Sequence, residues 1–232
     1  VKGMGEYTKH FKMMGLIVLV FLLSACQTSQ QTPSQKQDNI EPNTNTKILV
    51  LYFSMPEDEA NNTSDSNAQA SIVVRNNTVY GNVESVANII HETMGGDIIE
   101  IETNQTYPLD HEKLVEVVSQ EKEAQARPEL TQNFNFLNTY DTIFLGYPIW
   151  WYDLPMPLYS LLEQVDLSGI TIIPFTVHGG SGFSTTQETL QTLQPEATIS
   201  NQGFSLSRNN MLQAKDSVED WLNATFNLGA SS

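Results

Sequence analysis

The stretch Asp141-Thr-Ile-Phe-Leu-Gly-Tyr-Pro-Ile-Trp-Trp-Tyr-Asp-Leu-Pro155 decides the fold. Ile143, Phe144 and Leu145 form an unbroken apolar run. In so short a segment this predicts a strand buried on both faces, as inside a parallel sheet. Gly146 and Pro148 are expected to stop it, and Trp150, Trp151 and Tyr152 follow at once. Loops normally run over the surface, so this is much apolar area just past a strand end. In open α/β sheets, ligands bind outside the carboxyl ends of the strands. An aromatic loop there could hold a flat ligand by stacking, or its tryptophans could pack beneath a neighbouring loop. Both readings stay open at this point.

Working outward, the same strand pattern recurs. Lys47 to Phe53 is the first strand, again continuously apolar, and Ser54 follows it. A polar insertion, residues 55–80, carries Glu57, Asp58 and Glu59. Within it, Ser71–Val74 and Thr78–Tyr80 are spaced to pair as a hairpin across Asn76-Asn77. Gly81-Asn82 opens a helix whose apolar positions are Val83, Val86, Ala87, Ile90 and Met94, and Gly95-Gly96 ends it. Asp97–Glu102 is the second strand. Asp110 caps a second helix bearing Leu114, Val117 and Val118, which Arg127-Pro128 terminates. Beyond the central strand, Pro155 begins a helix with Leu158, Leu161, Leu162 and Val165 on its apolar face.

Ile170–Thr176 is the fourth strand, with Pro174 expected to disturb its pairing. His178-Gly-Gly-Ser-Gly182 forms a loop of little side-chain bulk, and Ser184 or Thr185 caps the next helix. Phe204–Leu206 is the fifth strand, and Met211–Phe226 the last helix. Strand and helix alternate about five times, which implies a parallel sheet, helices on both faces and right-handed crossovers. In the order 2-1-3-4-5 the switch point lies between the first and third strands. The loops after the first, third and fourth strands then converge on one crevice. The first of them enters a helix N-terminus, where exposed amides and the helix dipole favour an anion. A Gly-Asn pair there is also an ordinary cap.

The chain has 232 residues with 11 Lys plus Arg and 27 Asp plus Glu, a net charge of -16. That balance argues against nucleic acid, which needs a basic patch, and allows docking to a basic protein. The single cysteine, Cys26, excludes an internal disulfide. Lys2, Lys9 and Lys12 precede an apolar run of signal-peptide length, Met13 to Leu23, closed by Leu23-Ser-Ala-Cys26. This resembles the lipobox of bacterial lipoproteins and implies lipidation at Cys26. The resulting domain expectation is a lipoprotein signal peptide over 1–26, a flexible polar tether over 27–46 and one folded domain over 47–232. Such a protein would be extracytoplasmic and held to the bacterial membrane by its N-terminal lipid.

Tyr52-Phe53-Ser54, Gly81-Asn82, Gly146-Tyr-Pro-Ile-Trp-Trp151 and His178-Gly-Gly-Ser181 together resemble the flavodoxin family, in particular its long-looped lipoproteins. The resemblance runs from Lys47 to the last helix. It implies a flavodoxin-like three-layer α/β sandwich and noncovalent FMN. The family motif Tyr-Phe-Ser-Arg-Thr-Gly-Asn-Thr is split here by the insertion, and Val83 replaces its final Thr. The resemblance assigns the FMN phosphate to Ser54, Gly81, Asn82 and Val83. It sets Pro148, Ile149, Trp150 and Trp151 beside the isoalloxazine ring, and Thr176, His178, Gly179, Gly180, Ser181 and Gly182 at its pyrimidine end. Main-chain N–H groups of the glycine loop would face the reduced ring as fixed dipoles.

The implied function is a membrane-anchored redox protein. It would either exchange electrons with a redox partner protein or act as an NAD(P)H-dependent reductase with a quinone-like acceptor. The alternative is a surface binding module that keeps the fold without FMN.

The remaining candidates are sparse. His178 suits proton transfer or a backbone hydrogen bond within its loop. His10, His91 and His111 form no metal spacing. Glu112 and Glu116 form a solvated face. Arg127 and Arg208 stand out in an acidic chain, either as anion ligands or in structural ion pairs. There is no Gly-x-Ser-x-Gly motif or cysteine nucleophile.

Overall fold

Alternation within the apolar runs builds two cores on one sheet. Leu49, Leu51 and Phe53 point to one face, with Ile143, Leu145 and Tyr147. Val50, Tyr52 and Phe144 point to the other. A strand buried on both faces must be apolar at every position, which is what these runs supply. The computed structural model describes residues 46–56, 71–75 and 78–228, all within one compact unit spanning 39–232. The expected signal peptide with Cys26, most of the tether, Glu57–Glu59 and the Asn76-Asn77 turn lie outside the described residues. Among the described residues no helix is long and apolar enough to cross a membrane.

The elements run β1 (Ile48–Tyr52), β2 (Ile72–Arg75), β3 (Thr78–Gly81), α1 (Asn82–Met94), β4 (Asp97–Glu100), α2 (His111–Glu123), β5 (Thr142–Pro148), α3 (Met156–Leu162), β6 (Thr171–His178), α4 (Thr186–Leu193), β7 (Thr198–Ile199), β8 (Phe204–Ser207) and α5 (Ala214–Phe226). The main sheet is ordered β4-β1-β5-β6-β7, with β8 also on β6. Every pairing in it is parallel. This is the expected 2-1-3-4-5 order, with its last place shared by two short strands. The sheet therefore has six strands, not five. α1 and α5 cover the Val50 face, while α2, α3 and α4 cover the Leu49 face. The small sheet is the β2–β3 antiparallel hairpin, in the expected register with Arg75 opposite Thr78.

Three local expectations need correction. Gly146 and Pro148 do not stop β5, which runs through both. Gly146 is there for packing: a Cβ on it would stand 2.1 Å from the Phe175 ring of β6. Pro174 does not spoil β6. Ser200 donates to Ile172 O and Thr198 to Ile170 O, so alternate residues, Pro174 among them, face the outer edge. There β7 pairs with residues 171–172 and β8 with 175–178. The missing N–H falls in the gap between the two. The last helix starts later than expected, because Arg208–Gln213 is a 3-10 turn leading into α5.

Candidate functional site

The C-terminal ends of β1, β5 and β6 surround a cavity of about 250 Å³. Its wall includes Ser54, Asn82 and Val83 from the first loop, and Pro148, Ile149, Trp150 and Trp151 from the second. His178 and Gly179 come from the third. An open hollow of about 380 Å³ adjoins it, bounded by Ile149, Trp151, Tyr152 and Gly179 to Ser181. Cofactor pockets run to roughly 300–1,000 Å³, so the two hollows offer room for a nucleotide-sized ligand. A polar depression of about 570 Å³ at residues 129–135 and 161–165 is built from other elements and contains none of these residues.

Three expected residues lie elsewhere. Gly81 lines neither hollow. A Cβ on it would stand 2.2 Å from Ser54 Oγ, so its bareness serves the Ser54 contact. Thr176 is fully buried and donates to Tyr147 O at 2.7 Å, tying β6 to β5 beneath the site. Gly182 lines neither hollow and turns the chain at φ 61°.

The two adjacent tryptophans have separate roles. Trp150 makes edge contacts with Phe53 and Tyr107, at ring centroid distances of 5.4 and 5.6 Å. Behind it the Tyr107 hydroxyl donates to buried Glu121 at 2.9 Å. Trp151 is 49% exposed and Tyr152 69%. Both sit at the tip of a two-residue turn closed by reciprocal Trp150–Asp153 backbone hydrogen bonds. Their φ values are 49° and 63°. That is a type I′ turn, and each left-handed residue with a Cβ costs on the order of 1–2 kcal/mol.

The turn is pinned from several elements. Lys122 Nζ of α2 donates to Trp151 O at 2.7 Å, and Thr185 Oγ1 donates to Tyr152 O at 3.1 Å. Asp153 accepts from Leu154 N and the Tyr159 hydroxyl and lies 3.6 Å from Lys122 Nζ. Strain held this firmly is characteristic of binding and active sites. Here it keeps one indole ring presented between the two hollows.

On the glycine side, Gly180 N–H donates to His178 Nδ1 at 2.8 Å. An accepting Nδ1 requires the neutral ring with its proton on Nε2. Burial pushes the His178 pKa below its ordinary value, in keeping with that state. The backbone-bonded reading of His178 is therefore what the structure contains.

The N-terminus of α1 is occupied by the chain itself. Gly81 N–H donates to Glu84 Oε2 at 3.0 Å, Asn82 N–H to Ser71 O at 2.7 Å, and Glu84 N–H to Ser54 Oγ at 3.3 Å. Glu84 also places a carboxylate at that helix end. Glu84 thus supplies one arm of a capping box, and because Gly81 has no side chain the other acceptor is Ser54 Oγ, thirty residues away, which no local sequence signature reveals. The inner wall from α2, with Leu114 and Val118, was also missed, because at helical spacing those residues read simply as core.

A flavodoxin family model matches residues 71–225. The chain belongs to the flavodoxin family. The match begins after β1, so Ser54 lies outside it. A candidate flavoprotein from Bacteroides eggerthii is 25% identical, covering 78% of this chain and 98% of its own, with a TM-score of 0.57. A second, from Bacteroides uniformis, is 27% identical over 75% of this chain and 98% of its own, at 0.54. A Lactobacillus acidophilus flavoprotein solved in complex with FMN is 16% identical over 74% of this chain and 99% of its own, at 0.48. The comparison with curated proteins found no match. The crevice of this chain lies at the C-terminal ends of β1, β5 and β6, with an open flank and a self-capped α1.

Proposed function

We propose that this crevice holds FMN noncovalently and that the protein is a redox flavoprotein. The carrying observation is the pinned Trp151 turn facing the Gly179–Ser181 loop across the strand ends. Its indole offers a flat apolar surface, and Gly179 and Gly180 opposite carry no side chains of their own. Bound FMN would supply electron or hydride transfer. The chain's part is to orient the ring, keep water from one face with Ile149 and Trp151, and hold His178 neutral with Nε2 as its proton-bearing atom.

Exposure of Trp151 and Tyr152 leaves the outer face reachable by a partner. That supports either a docked redox protein or NAD(P)H and a small planar acceptor. The acidic chain favours a basic docking partner. A lipid anchor at Cys26, on the outer side of the bacterial membrane, completes the proposal and rests on the lipobox sequence alone.

The self-capped α1 N-terminus favours the second reading, a binding module without flavin, because three of the amides at that helix end are already engaged. The deciding experiment is the visible spectrum of the purified chain, desalted, with and without added FMN. Retained flavin bands support the redox reading. A colourless protein that leaves added FMN unbound supports the module.

A further inference from the structure

Arg208 opens the 3-10 turn that follows β8. Its guanidinium lies over Gly179: a Cβ on that glycine would stand 3.5 Å from Arg208 Cζ and 3.6 Å from Nη2. The side chain lines the same cavity as Ser54, Asn82 and Trp151, and the residue is half-buried. Taking a guanidinium partly out of water without a counter-charge is unfavourable. This chain has 27 acidic residues from which to supply one. It does so for Arg127, which forms a two-pronged pair with Glu163 at 2.7 and 2.6 Å. It does so again for Lys122 with Asp153 and Lys215 with Glu219. Among the described residues Arg208 joins no ion pair. The α1 N-terminus, meanwhile, has three of its amides engaged by Glu84, Ser71 and Ser54, and a carboxylate in place.

Building on the FMN reading, we propose that Arg208 is the anion-recognising residue of this pocket and pairs with the negatively charged part of the bound flavin. A planar guanidinium suits both available anions. One is the phosphate. The other is the ring after uptake of two electrons and one proton, whose negative charge would lie near the Gly179 loop.

The test uses the full chain with Arg208→Gln and Arg208→Lys, with thermal melting to confirm that both fold. FMN and riboflavin affinities are read from flavin fluorescence, and the midpoint potential of bound FMN by redox titration. If the phosphate is the partner, Arg208→Gln weakens FMN at least about tenfold and riboflavin less than about twofold. If the reduced ring is the partner, oxidised FMN and riboflavin keep their affinities. The midpoint potential then falls by about 30 mV for each tenfold loss in reduced-ring affinity. In either case Arg208→Lys recovers part of the effect. Equal loss of FMN and riboflavin at an unchanged potential, or no change in any quantity, would overturn the inference. A wild-type chain that binds neither flavin would sink the FMN reading and this inference with it. Flavin binding and a midpoint potential that Arg208→Gln leaves untouched would together sink this inference alone.

Discussion

Trp150 and Trp151 are neighbours of one type, and their environments give them opposite phenotypes. Trp151→Ala removes an exposed ring, so melting should move little while FMN affinity falls at least about tenfold. Trp150→Ala removes the ring that packs on Phe53 and Tyr107. It should cost about 2–3 kcal/mol in chemical denaturation, below the roughly 3–5 kcal/mol of a fully buried aromatic because Trp150 is partly exposed. Equal stability losses in the two variants would contradict this division. The sequence could not separate the two rings, since only the left-handed turn at Trp151 distinguishes them. Arg127 and Arg208 were indistinguishable for the same reason: Glu163 is near Arg127 only once α3 is in place.

His178 carries a pH prediction. Its folded pKa lies below the ordinary 6.5 because burial disfavours the imidazolium. As pH falls through that window the unfolded chain takes the proton first, so stability rises with pH there and is lost as pH falls through the lowered value. Protonation also turns Nδ1 from acceptor to donor against Gly180 N–H. The Gly180 amide should therefore lose exchange protection as pH falls below the ordinary histidine range and through the lowered His178 value. A protection factor that stays constant across that range would contradict the assigned bond.

At the scale of elements, the β2–β3 hairpin and α1 are closed together by Ser54, Ser71 and Glu84. Gly81→Ala forces its Cβ against Ser54 Oγ and should cost about 1–3 kcal/mol. In a Ser54→Ala background the cost should drop by about 1 kcal/mol or more, measured as a double-mutant coupling. Additive effects would show that Gly81 is needed for another reason. The strands were legible because burial on both faces forces continuous apolar runs. β7 was not, because Thr198 and Ile199 carry no pattern and pair only along the outer edge of β6. The break in that edge also explains Pro174, whose place the sequence marked without revealing what made it harmless.

For the whole molecule the dominant property is its negative charge, and among the described carboxylates Glu100 is where burial makes that charge costly. Burial, then Glu84 and Glu102, raise its pKa to about 7, with the Tyr52 hydroxyl hydrogen-bonded to it. A folded pKa above the ordinary 4.5 means that stability is full below 4.5 and is lost as pH rises through about 7. Glu100→Gln should gain about 1–2 kcal/mol over the wild type at about pH 8 and little at about pH 4.5. That range is discounted for partial exposure. A gain equal at both pH values would contradict the buried-charge account.

The most direct test of the central claim is an FMN titration of the isotope-labelled chain, followed by nuclear magnetic resonance. The Trp151 indole and the Gly179 and Gly180 amides should shift together and saturate at one equivalent, while residues around the depression at 129–135 stay still. Absence of any shift, or shifts confined to that depression, would contradict a flavin site at the ends of β1, β5 and β6.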